Sequence, residues 1–372
     1  MPQHKLAEPF EFKNKVTIPN RLVMAPMVAR ASEEDGYVSD DDLRYFALRS
    51  EVAGMIITGA AYVIDHGKGF GRQLSIAHSD NVPGLTRLSN AIKKDGAKAI
   101  VQLYHGGRES HPAAHQMGYG LGPSAMKFDW LPYDVKEMTL DQIDKTIAAF
   151  AAATRRAIDA GFDGVEVHGA NHYLLQQFFS VYSNHRDDEW GGDLVRRMAF
   201  PLAVLDAVME VAKDAGRPFI VGYRISPEEV HGDNVGYTMT DSLALIDAVA
   251  NRGVDYVHVS LWEGFDGTPM DGDKPIGKMV KDTVAGRCPV IVVSNVFNQA
   301  DAERALEYGD LVAIGRAALI DPKFGAKIVA GRGDEVETSV AGRVEELAYT
   351  EDLIEWFTGS GKDLLPPLKG LE

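Results

Sequence analysis

Apolar positions along the chain fall into two patterns: short, nearly uninterrupted runs, and longer segments in which they recur every three or four residues. The runs lie at 22–25, 55–60, 97–103, 164–168, 219–225, 256–260, 290–294 and 311–314. A strand without alternation is buried on both faces, as in a parallel sheet covered by helices. Helical patterns lie between them at 40–52, 83–94, 140–160, 195–214, 242–252, 274–283 and 299–307. The segment 140–160 is the clearest. Ile143, Ile147, Phe150, Thr154 and Ile158 share one face, Thr139 followed by Asp141 and Gln142 marks a capped start, and Gly161 marks a stop.

Eight strands alternate with helices, and no repeat divides them into two sheets. No strand is followed by a Gly-x-Gly-x-x-Gly turn. This predicts an α/β fold, a closed (β/α)8 TIM barrel rather than a doubly wound sheet. Residues 8–20 alternate around Asn14 and predict an N-terminal hairpin that caps one end of the barrel. Long loops at 104–138 and 172–194 follow the third and fourth strands, at the end where barrels bind ligands. The barrel is assigned to residues 1–330. Residues 331–372 read as a C-terminal extension, packing on the barrel or on a neighbouring subunit.

The composition, 45% hydrophobic and 25% charged, is that of an ordinary globular chain. A net charge of −16 with no basic block argues against nucleic acid or an anionic membrane as partner. The first eight residues carry no apolar leader and no run of about 18 apolar residues appears, so a cytoplasmic location is expected. The single cysteine, Cys288, excludes an intrachain disulfide framework and a cluster of cysteine metal ligands. No metal site is expected, and any redox chemistry has to come from a cofactor.

The polar residues at the strand ends carry the candidate chemistry. His168, Asn171 and Tyr173 follow the fourth strand. A His and an Asn can donate two hydrogen bonds to one oxygen, with a phenol beside them to deliver a proton. An isolated His-x-x-Asn is more often a satisfied loop, so context has to decide. Gln102 ends the third strand, where its amide can pair with the edge of a flat heterocycle or tie down a loop. Arg224 ends the fifth and needs an anion, either a ligand or Glu166. After strands seven and eight, Ser294 with Asn295 and Gly315 with Arg316 occupy the usual phosphate site of barrels, which implies a phosphorylated ligand.

Taken together, several segments make the chain resemble the old yellow enzyme family of FMN-dependent ene reductases, also described as NADH:flavin oxidoreductases. They are the run from Asn20 to Met27, that from Gln102 to Arg108, Pro123 with Ser124, that from Ala160 to Tyr173, Asn184 with Arg186 and Asp187, and that from Asp310 to Arg316. The resemblance spans about residues 8–330. It implies FMN as cofactor, with Gln102 and Arg224 at the flavin pyrimidine edge and Ala25, Pro26, Met27, Val28 and Ala60 along the ring. Ser294, Asn295, Gly315 and Arg316 would hold the phosphate. His168 and Asn171 would bind a substrate carbonyl or nitro oxygen, and Tyr173 would donate the proton. NADH or NADPH would be the reductant and a small molecule the substrate, in a possible homo-oligomer. Val28 departs from the family's usual Thr or Cys, His172 stands where Gly is common, and Ser294 replaces a frequent Gly. Two alternatives remain: an NAD(P)H oxidase or a quinone or flavin reductase using the same site, and a barrel glycoside hydrolase using Glu166 and Glu228.

Overall fold

The computed structural model describes residues 5–359, 361–362 and 367–371; residues 1–4 of the N-terminal reading lie outside them. Eight parallel strands close into a barrel: β1 (Leu22–Met24), β2 (Met55–Tyr62), β3 (Lys98–Tyr104), β4 (Gly164–Gly169), β5 (Ile220–Ile225), β6 (Tyr256–Val259), β7 (Val290–Val293) and β8 (Leu311–Ile314). Each strand pairs with the next, and β8 returns to β1 through Val312↔Leu22 and Ile314↔Met24. The eight unalternating runs are therefore the eight barrel strands, each buried between the interior and a ring of helices.

That ring is α1 (Asp40–Leu48), α2 (Val82–Lys93), α3 (Leu140–Asp159), α4 (Leu194–Lys213), α5 (Met239–Asn251), α6 (Ile276–Val284), α7 (Gln299–Ala305) and α8 (Phe324–Val329). Helix α3 starts as its sequence predicts: Thr139 Oγ1 accepts from Gln142 N, and the Gln142 side chain returns to the Thr139 N–H. Such a capping box satisfies two of the orphan donors at a helix start. Helix α1 stops at Leu48, short of the predicted residue 52, because Arg49 leaves helical geometry and turns its side chain inward.

The N-terminal hairpin pairs Phe10–Glu11 with Thr17–Ile18. Its Phe12, Val16 and Ile18 are buried against Val23, Met55, Ile100, Ile220 and Ile291, the inward residues of five barrel strands. The hairpin thus plugs the amino end of the barrel and leaves the carboxyl end for ligands. There the loop after β3 holds a helix at His111–Met117 and a small parallel pair, Gly120–Gly122 with Val135–Glu137. The loop after β4 holds a helix at Leu174–Phe179. A third insertion, not read from the sequence, is the hairpin of Glu229–His231 with Asn234–Tyr237 after β5.

Strand β2 carries an irregularity that matters for the site. Its pairing with β3 shifts between Ile57 and Ala60, and Thr58 Oγ1 accepts from Gln102 N across the gap. A Cβ on Gly59 would lie 2.4 Å from Met27 O and 2.9 Å from Val28 Cα. Only glycine lets the segment after β1 lie this close, and the shift sets Ala60 beside Gln102.

Past the barrel, the described part of the C-terminal segment is held by Arg49. Its guanidinium is fully buried over the Tyr45 ring and donates to the carbonyls of Tyr45, Ala318, Leu319 and Leu347. A planar fork reaches several carbonyls at once, whereas an ammonium is a point donor. Arg49→Lys is expected to destabilise the protein by at least about 1.5–3 kcal/mol, the worth of one hydrogen bond to a charged group. A urea unfolding curve compared with wild type checks this, and an unchanged midpoint would mean that the lysine satisfies the same carbonyls.

Candidate active site

His168 ends β4 inside the barrel mouth and is buried. The Ala170 N–H donates to its Nδ1 at 3.2 Å, so the neutral ring carries its proton on Nε2 and presents that N–H as a donor. Burial, followed by the charge of Arg224, holds its pKa well below the ordinary imidazole range. The ring is a neutral hydrogen-bond donor, not a cation.

Asn171 sits in left-handed backbone, φ 57°, with its N–H donating to Ser226 Oγ at 2.9 Å. Its Oδ1 accepts from Ser260 Oγ at 2.8 Å, and Ser260 Oγ in turn accepts from Arg224 Nη2 at 3.1 Å. This chain fixes which way the amide faces and leaves Nδ2 as the presented donor. Neither Ser226 nor Ser260 is singled out as a site residue by the sequence, where Ser260 is only the last residue of the sixth run; the signal available was their place one residue beyond β5 and β6.

Tyr173 caps the short helix at Leu174–Phe179. Its ring stands edge-on to His168 at 5.1 Å and to Tyr104 at 4.5 Å. Burial, then the Glu109 carboxylate, raises its pKa above the ordinary phenol value, so it stays protonated. Val28, Ala60, Tyr62 and Tyr104 pack into one cluster against which Tyr173 lies, which brings the segment after β1, the carboxyl ends of β2 and β3 and the segment after β4 to one place.

Deeper in the barrel, Gln102 Nε2 donates to Glu166 Oε1 at 2.7 Å, and Glu166 Oε2 lies 2.9 Å from His258 Nδ1. Glu166 and His258 are fully buried. Burial alone would raise the Glu166 pKa, but His258, Arg224 and the Gln102 hydrogen bond together bring it below the usual carboxylate value. Gln102 is therefore tied down through its amide nitrogen while its Oε1 stays available. The ion pair between Arg224 and Glu166 offered by the sequence does not form: Glu166 is taken by Gln102 and His258, and Arg224 Nη2 goes to Ser260. The glycosidase reading fails for a similar reason. Glu166 is sealed inside with both oxygens engaged, and Glu228 accepts from the backbone N–H groups of Met239 and Met270.

At the far side of the mouth, Ser294 and Asn295 both take positive φ, 95° and 54°. Their side chains reach back to the carbonyls of Trp262 and Glu263. Arg316 Nη2 donates to Asn295 Oδ1 at 3.0 Å, and a Cβ on Gly315 would meet only Met27 Sδ, at 3.6 Å. The space beside Gly315 is open to a close ligand. Ala25 is buried and donates to Ile314 O, and the Ala60 carbonyl accepts from Gln73 Nε2.

The fold and this mouth define a ligand-binding (β/α)8 barrel with a neutral donor pair, a protonated phenol and a buried cation. Residues 5–335 match the model of the NADH:flavin oxidoreductase / NADH oxidase family, and the chain belongs to that family. It is 42% identical over 350 residues to a probable NADH-dependent flavin oxidoreductase of Bacillus subtilis, covering 93% of each chain. It is 42% identical over 334 residues to an NADH:acrylate oxidoreductase of Vibrio harveyi, which takes in 87% of this chain and spans only 33% of that protein. Among solved structures, an old yellow enzyme homologue from Zymomonas mobilis superposes with a TM-score of 0.78 at 23% identity, over 93% of this chain and 96% of that one. Morphinone reductase superposes at 0.75 with 27% identity, over 88% and 90%. The protein is an oxidoreductase that uses FMN and a reduced nicotinamide. No helix among the described residues is long and apolar enough to cross a membrane.

The residues fit such a group. Arg224 Nε is buried without a hydrogen-bond partner in the protein and asks for an acceptor from outside. Gln102 keeps a carbonyl oxygen for a ring N–H, so donor and acceptor stand together as a pyrimidine edge requires.

The depressed His168 pKa has a measurable consequence. The unfolded ring takes a proton near pH 6.5 and the folded ring does not, so stability falls as pH drops below about 6.5. One imidazole contributes at most ~1.4 kcal/mol per pH unit to that slope. His168→Gln is expected to flatten the fall in urea-derived stability between about pH 6 and pH 5 by up to this amount. Identical slopes in the two proteins would mean that His168 protonates freely in the folded state.

Proposed function

We propose that the chain is an ene reductase, which takes hydride from NADH or NADPH and reduces the C=C bond of α,β-unsaturated carbonyl or nitro compounds. The observation that carries this reading is the pair of oriented donors, His168 Nε2 and Asn171 Nδ2, beside the protonated Tyr173. FMN, when bound, supplies the hydride. It would be held by Gln102 and Arg224 at its pyrimidine edge, by residues 25–28 and Ala60 along the ring, and by Ser294, Asn295, Gly315 and Arg316 at the phosphate.

The remaining work belongs to the protein. A C=C bond accepts hydride when an adjacent oxygen takes up negative charge, and His168 and Asn171 stabilise that oxygen as the charge grows. Both are preorganised: Ala170 N–H fixes the tautomer of one, and Ser260 fixes the amide orientation of the other. A neutral His168 donates without bringing a charge of its own, which suits a site that first admits a nicotinamide and then the substrate. Tyr173 protonates the substrate α carbon. Its raised pKa keeps the proton in place until a carbon base strong enough to take it has formed.

A second reading keeps the same site but passes the electrons to a quinone, a free flavin or another acceptor. It draws support from an NADH oxidase of Thermoanaerobacter brockii, 30% identical over 88% of this chain. Anaerobic stopped flow with Tyr173→Phe separates the two. Reduction by nicotinamide should stay near wild type, while reoxidation by cyclohexenone slows by about 10²-fold or more, the usual worth of a general acid. Equal slowing of both steps, or of neither, would remove Tyr173 from the role. Failure of any enone or nitroalkene to reoxidise the wild-type protein would favour the second reading.

Val28 supplies another test. It packs with Ala60 and Tyr104 in the site and has no donor to offer reduced flavin, which carries more negative charge than oxidised flavin. A hydrogen bond to a charged acceptor is worth about 1.5–3 kcal/mol, so Val28→Thr is expected to raise the FMN midpoint potential by about 30–65 mV. Dye-equilibration titration reads the change, and an unchanged or lowered potential would mean that position 28 does not reach the flavin.

A further inference from the structure

One cluster of ligating side chains lies beside the active site and takes no part in the chemistry above. His172 separates Asn171 from Tyr173 and sits in left-handed backbone, φ 64°. Glu229 and His231 come from the hairpin after β5 that the sequence reading missed. The fold brings one ligating atom from each of the three within 4.8 Å of the others. His231 Nε2 lies 3.3 Å from Glu229 Oε1, and His172 Nδ1 lies 3.8 Å from Glu229 Oε2. The rings of His172 and His231 lie with centroids 5.0 Å apart and planes tilted by 46°.

We propose that His172, Glu229 and His231 form a binding site for a divalent transition-metal ion, with zinc the best fit to two imidazoles and a carboxylate. A tetrahedral zinc with bonds of about 2.0–2.1 Å separates its ligand atoms by roughly 3.3 Å. The His231–Glu229 separation already has that value, the His172–Glu229 separation of 3.8 Å exceeds it, and the three ligating atoms, all within 4.8 Å of one another, close on an ion by rotation of the two partly exposed imidazoles. The carboxylate is anchored from behind. Ser180 Oγ donates to Glu229 Oε1 at 3.0 Å and Gln176 Nε2 to Oε2 at 2.7 Å, the outer hydrogen bonds that orient a ligating carboxylate. Gln176 Nε2 also stands 3.2 Å from His172 Nδ1, so that nitrogen accepts and holds its lone pair toward the cluster. A cation among the three atoms takes over what this amide now does.

Solvent reaches the site from one side. Glu229 is sealed, while the side chains of His172 and His231 are 45% and 31% exposed, which leaves room for an ion to arrive and for water to complete its shell. The ion adds a direct link between two segments now joined through Gln176 and Ser180: the turn carrying Asn171 and Tyr173, and the hairpin after β5. Its expected effect is to hold that turn, and the proposal stands independently of the reduction chemistry.

The test uses the FMN-loaded protein, stripped with a chelator and titrated with Zn2+ against a metallochromic indicator. A parallel titration with Co2+ is followed by its visible bands beyond the flavin absorption. The expected result is one ion per chain, with affinity reduced more than about tenfold in His231→Ala and in His172→Gly, glycine being suited to the left-handed backbone. His78→Ala, an exposed imidazole elsewhere, should bind as wild type does. Flavin absorbance and circular dichroism identify the folded variants, and His172→Gly alone suffices if His231→Ala does not fold. Wild-type affinity no greater than that of His172→Gly would mean an adventitious ion only and would overturn the proposal, as would absence of binding.

Discussion

A permanent positive charge buried at the mouth of a closed barrel is the constraint around which the site is arranged. Arg224 cannot be neutralised by losing its proton, and burial deprives it of water, so the neighbouring side chains must satisfy it. Glu166 balances the charge from a distance rather than by contact. It is kept ionised by His258 and Gln102, while Ser260 takes the hydrogen bond. What is left over, the buried Nε of Arg224, is an opening for a ligand. Through Ser260 the same residue orients Asn171, so the group proposed to meet the cofactor and the group proposed to meet the substrate are set by one hydrogen-bonded chain.

The architecture was legible because the barrel strands are buried on both faces. Residues such as Val290–Val293 or Leu311–Ile314 have no polar alternation to confuse them with surface strands, and the helices between them show a full amphipathic period. His168, Asn171 and Tyr173 were legible because they cluster within six positions at the end of one strand. Gln102 and Arg224 were legible because each ends an apolar run.

Partnerships between strands were not legible. Nothing in a single sequence says that His258 rather than Arg224 would contact Glu166, because that depends on the relative rotation of β4, β5 and β6 inside the barrel. Ser260 and Ser226 look like ordinary strand-end serines until Asn171 is folded onto them. The hairpin at 229–237 was missed because only its Gly232 turn is distinctive, the strands being three and four residues long.

Closure of the barrel also constrains how the chain can be made. The edge of β1 is completed only by β8, whose partners Leu22 and Val312 stand at opposite ends of the sequence. During synthesis that edge waits with unpaired backbone groups while the six intervening strands and β8 emerge, the condition under which strands recruit wrong neighbours. The N-terminal hairpin packs on inward residues from strands made throughout synthesis, so it too docks late. The hairpin and β1 are thus among the last parts of the barrel to be sealed, and until β8 is made their apolar and unpaired surfaces are open to wrong partners.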